Sequence, residues 1–172
     1  MILPILQIAA IPVLAVYLGR WRASLRRRNA QSWESLIARL RPDWSARELS
    51  DRFLWKEGLS ATPAETWERI QGVRGLWAMY QNAGVMLEMA DYAAQHSDAV
   101  DRELIATLHS DALQIRICAL KAIAQYAWSQ AGEGARLNAF RASSMYTGMA
   151  ARMTQLLQEN FAVVLPDFVA AM

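Results

Sequence analysis

The chain has 172 residues, of which 54% are hydrophobic and 20% charged, and its formal net charge is +2. This length corresponds to about one domain with a substantial core. The single cysteine, Cys118, excludes an intrachain disulfide and a zinc site built on several thiolates. A lone cysteine inside the apolar run 115–124 is typical of a small core residue.

The positive charge is concentrated in one short segment that precedes every carboxylate of the chain. The arginines of this segment are Arg20, Arg22, Arg26, Arg27 and Arg28. Since the whole chain carries +2, the residues after 28 carry a net charge of about −3. A nucleic-acid-binding protein is expected to spread basic residues over its folded surface, so this distribution argues against nucleic acid as a partner.

Residues 2–19 form an uncharged, apolar segment in which Gln7 is the only strongly polar side chain. As a helix this segment would span ~27 Å, close to the ~30 Å hydrocarbon core of a bilayer. Tyr17 and Trp21 stand where an interfacial aromatic belt would lie, and the arginine segment follows directly. The pattern predicts a transmembrane anchor over residues 1–28, with its arginines on the headgroups of an anionic leaflet.

The order of the apolar segment and the arginines also predicts an orientation. A secretory signal peptide carries its positive charge before the apolar region, which is the reverse of the order here. Because positive charge stays on the cytoplasmic side, we expect a bacterial-type single-pass protein with its N-terminus outside and its C-terminal domain in the cytoplasm. Pro4 and Pro12 leave two alternatives open, a helix lying flat at the membrane interface and a buried helix of a soluble protein.

Residues 29–72 are predicted to form a tryptophan-rich connector of short helices. Ser32 is expected to cap the first of these, and a second is expected between residues 45 and 57. Thr62, followed by Pro63 in the first helical position, marks the start of a third.

The pattern changes after the connector to three long helices, predicted at about 73–96, 99–130 and 134–160. Short connections make such helices antiparallel neighbours, so residues 73–172 should form an up-down-up three-helix bundle. The apolar tail from 161 should dock on this bundle or on a partner. The predicted fold class is therefore all-α, with a transmembrane helix followed by short helices and the bundle.

The last of the long predicted helices carries a stripe of apolar side chains at helical spacing, which we interpret as core. Its members are Ala139, Ala142, Tyr146, Met149, Met153 and Leu157.

Charged residues project onto the apolar side of the middle predicted helix. They are Arg102, His109 and Arg116, among Ile105, Ala112, Leu120 and Ile123. Burying a charge without a partner costs several kcal/mol, so these groups require partners. In an antiparallel hairpin, residue 91 lies about level with 105 and residue 88 with 108. We therefore predict a polar network in which Glu88 or Asp91 reaches Arg102 or His109.

The predicted network has three interpretations, namely structural ion pairing, contact with a partner, and a ligand or catalytic site. Neither His96 nor His109 has a glutamate three residues before it, as a di-iron bundle requires, and no phosphate-binding loop occurs. We therefore expect neither a metal nor a cofactor.

The preferred functional hypothesis is a membrane-anchored scaffold or accessory subunit on the cytoplasmic side, without enzymatic activity. Its expected partners are anionic lipid and either other protein subunits or further copies of the chain. The alternative is a helical domain that binds a small molecule or an anion, or catalyses a reaction, through a buried network of arginine, histidine and carboxylate side chains. These residues are Glu88, Asp91, Arg102, His109 and Arg116.

Overall fold

A computed structural model describes residues 32–41, 62–129 and 132–172. Over these ranges the chain is all-helical and has no strand, which confirms the all-α part of the prediction. The helices are α1 (Trp33–Ile37), α2 (Pro63–Arg69), α3 (Val73–His96), α4 (Arg102–Ser129), α5 (Glu133–Asn160) and α6 (Leu165–Ala171).

The predicted membrane segment, its interface residues between 17 and 28, and the helix expected between 45 and 57 lie outside the described residues. Among the helices that are described, none combines the length and the apolar character needed to cross a bilayer.

Helix α2 begins at the residue that the sequence predicts. The Thr62 hydroxyl accepts a hydrogen bond from the Glu65 N–H at 3.2 Å, and the Glu65 carboxylate accepts one from the Thr62 N–H at 2.8 Å. Pro63 occupies the first turn, where it has no N–H to leave unpaired. This capping box satisfies two of the donors that a helix start would otherwise expose.

A tight turn connects α2 to α3. Gln71 and Gly72 adopt left-handed backbone angles, with φ of 59° and 60°. At Gly75 a Cβ atom would lie 1.8 Å from the Ile70 carbonyl oxygen, so no larger residue fits there without movement of the backbone. The turn places α2 next to the long helices, where it packs against α5.

The three long helices pack side by side, each antiparallel to the next in sequence. Between α3 and α4, Tyr80 is hydrogen-bonded to Arg116 and Asp91 to His109, so the residue numbers run in opposite directions along the two helices. Helix α4 begins at Arg102, three residues later than predicted. The Asp101 carboxylate accepts a hydrogen bond from the Glu103 N–H at 2.9 Å, and this cap fixes the later start.

The predicted stripe of α5 is confirmed as core, since each of its six side chains is at most 1% exposed. Helix α4 buries a stripe that overlaps in part with the one expected, and most of its members are alanine: Leu108, Ala112, Ile115, Ala119 and Ala122. Ala112 was expected there, and Ile105 and Ile123 are partly buried against the core. Leu120, predicted on the apolar side, is 45% exposed. Helix α4 carries apolar residues on two faces, and the small ones allow α3 and α5 to approach closely.

Helices α1 and α6 cover one side of the bundle. The Trp33 ring lies 4.9 Å from the ring of Tyr92 and 4.9 Å from that of Phe161, measured between centroids. Leu36 of α1 is fully buried, and so is Phe168 of α6. The prediction that the apolar tail docks is therefore confirmed, with α6 packed on α1 and α5.

Candidate functional site

The predicted contact between α3 and α4 is present at Asp91 and His109. The His109 Nε2 atom lies 2.8 Å from Asp91 Oδ1. The Asp91 side chain is 18% exposed and the His109 side chain is 47% exposed, so the pair lies at the surface and not in the core. The expectation of a buried network is wrong at this point, because His109 lies where the α4 surface meets solvent.

Glu88 is engaged by an arginine of the segment that follows α1. The Arg39 guanidinium donates two hydrogen bonds to the Glu88 carboxylate, at 2.5 and 2.9 Å. The hydrogen bond to Glu88 raises the pKa of Arg39, while partial burial opposes the shift. The pair could not be predicted from the sequence, because residues 39 and 88 lie in separate elements and no local spacing signals their contact.

Arg116 has an aromatic partner instead of a carboxylate. Its Nη2 donates to the Tyr80 hydroxyl at 2.7 Å, and its guanidinium carbon lies 4.4 Å from the centre of the Tyr80 ring. Tyr80 stacks in turn on Trp77, with centroids 5.2 Å apart and ring planes 8° from parallel. A phenol and a π face together stabilise a cation without a counter-charge.

The five network residues therefore do not form one cluster. Glu88 faces the α1 segment, Asp91 holds His109, and Arg116 rests on Tyr80. Arg102 is exposed in the first turn of α4, and across the described ranges no hydrogen bond or ion pair joins it to the other four. The contacts are consistent with structural pairing between neighbouring helices.

A second ion pair that was not predicted from the sequence, after that of Arg39 and Glu88, links α4 to α5. Arg152 donates through Nη1 to the Asp111 carboxylate. Burial raises the pKa of Asp111, and the arginine partly opposes this. Helices α4 and α5 are consecutive and antiparallel, and the midpoint between them, near residue 131, sets residue 111 level with residue 152. This register was the signal that could have predicted the pair.

The described residues include a cleft but no metal-binding group. No group of three or more histidine, cysteine, aspartate or glutamate side chains in these ranges could hold a metal ion. A cleft of about 540 Å³, wide open to solvent, lies beside the turn before α3. Its lining residues are Trp67, Glu68, Gln71, Gly72, Val73, Arg74 and Tyr126, and none of the five network residues is among them.

Helix α4 presents a row of apolar side chains to solvent, on the face opposite its buried stripe. We call it the outer stripe, and its members are Leu113, Ile117, Leu120, Ala124 and Trp128. Leu113 is 61% exposed and Trp128 is 95% exposed. Single exposed apolar residues are ordinary, and the outer stripe differs from them because its members follow one another along one face of α4.

Comparison of the chain with protein-family models, with curated proteins and with solved structures finds no match.

Proposed function

We propose that the chain is a non-enzymatic helical scaffold or accessory subunit that is tethered to a membrane and binds another protein through α4. The observation that carries the binding role is the outer stripe. Water contact with a row of large apolar side chains is unfavourable by roughly 25 cal/mol per Å², so a protein that covers the row gains that free energy.

The tether rests on the sequence alone. Residues 2–19 have the length and apolar character of a membrane span, and the arginines that follow favour the cytoplasmic leaflet. Extraction of native membranes with alkaline carbonate tests this part, because a spanning segment stays in the pellet. Release of the chain into the supernatant would contradict the tether without bearing on the outer stripe.

The rival hypothesis, a ligand or catalytic site, receives no support from the network residues. Glu88, Asp91 with His109, and Arg116 take part in three separate contacts, and Arg102 joins none of these. The described cleft lies elsewhere. A binding site requires polar groups that converge on one concave surface.

Affinity capture of the full chain in mild detergent tests the binding role. We compare the wild type with Leu113→Glu, which places a charge on the outer stripe, and with Leu137→Glu as the control. Leu137 is 44% exposed on α5, outside the stripe. We expect one reproducible partner that Leu113→Glu loses and Leu137→Glu retains. Equal recovery with both variants, or no partner at all, would contradict the proposal.

A further inference from the structure

We draw no further inference here: the strongest candidate, the outer stripe on the exposed face of α4, is a row of apolar side chains, and nothing in the structure shows what covers it.

Discussion

Asn82 of α3 donates a hydrogen bond through Nδ2 to the Tyr146 hydroxyl of α5, over 3.0 Å, in a site where both residues are 1% exposed. Asn82 also accepts a hydrogen bond from the Arg41 N–H at 2.9 Å and donates to the Arg41 carbonyl at 3.2 Å. Burial raises the pKa of the Tyr146 phenol well above its usual range, and the hydrogen bond from Asn82 partly opposes this. One amide therefore joins α3, α5 and the segment after α1.

Replacing Asn82 with leucine tests the importance of this amide. Leucine has a similar volume but leaves both backbone groups of Arg41 without their partner, so we expect the free energy of unfolding to fall by about 2–4 kcal/mol. Tyr146→Phe, the matched control, removes the hydrogen bond from Asn82 and the weak one that Tyr146 donates to the Met172 sulfur, and the expected loss is about 1 kcal/mol. Urea unfolding of the full chain in mild detergent measures both. A loss for Asn82→Leu no greater than for Tyr146→Phe would show that Asn82 does not hold the α1 segment.

Two glycines of α3 are expected to respond to alanine with opposite signs. A Cβ atom at Gly75 would overlap the Ile70 carbonyl, whereas one at Gly84 meets no atom within 4 Å. Gly75→Ala should therefore lower stability by about 1–3 kcal/mol. Gly84→Ala should raise it by about 0.5–1 kcal/mol, because alanine favours the helix. Thermal unfolding of the two variants gives the comparison, and stabilisation by Gly75→Ala would show that the turn before α3 differs from the one described.

The sequence predicts the long helices well, because their ends are marked by local signals such as glycine at 132 and 134. The core of α5 follows from helical spacing alone. The outward face of α4 does not follow from helical spacing, because spacing placed Ala112 and Leu120 on one apolar side, although only Ala112 is buried. The difference lies in size, since the close approach of α3 and α5 selects the alanines.

The candidate site was predictable only where two helices are consecutive. The hairpin register placed residue 91 about level with 105, and the contact that forms is one turn further along α4, between Asp91 and His109. The contact of Arg39 with Glu88 depends on how separate elements pack, and no local pattern encodes that packing. The contact of Arg152 with Asp111 follows the register of the α4–α5 hairpin, in which residue 111 lies level with 152, so the same argument could have predicted it.

The pair of Asp91 and His109 is expected to contribute little to stability. Because His109 is about half exposed, Asp91→Asn should change the free energy of unfolding by less than about 1 kcal/mol, in the range of surface ion pairs. A buried pair would lose about 3–5 kcal/mol on removal of one partner. Guanidinium unfolding of Asp91→Asn and His109→Gln decides between these ranges. A loss in the larger range for either variant would restore the buried network that the sequence suggested.

The capping box of α2 predicts a dependence of stability on pH. The hydrogen bond from the Thr62 backbone makes the largest contribution to lowering the pKa of Glu65 below its usual range. Hydrogen bonding with the Thr62 side chain lowers this pKa further. A lowered pKa stabilises the folded state above the ordinary pKa of glutamate, and the contribution is lost as the pH falls through the folded pKa.

Glu65→Gln provides the comparison, because the glutamine oxygen also accepts from the Thr62 N–H but does not titrate. Between pH 6 and pH 3, the wild type should lose more stability than this variant. Unfolding curves measured at several pH values test it, and parallel losses in the two proteins would contradict the role of the Glu65 carboxylate.

Phe168 is the most deeply buried side chain of the C-terminal tail. It is 1% exposed on the inner face of α6, whereas its neighbour Val169 is 47% exposed. Phe168→Ala removes a buried ring, so we expect a loss of about 3 kcal/mol and faster hydrogen exchange of the amides from 161 to 172. Val169→Ala should change stability by less than about 0.5 kcal/mol. If exchange in the tail were as fast in the wild type as in Phe168→Ala, the tail would not be docked in solution. The large loss would then have to come from elsewhere in the bundle, because Phe168 could not stabilise a contact that is not formed.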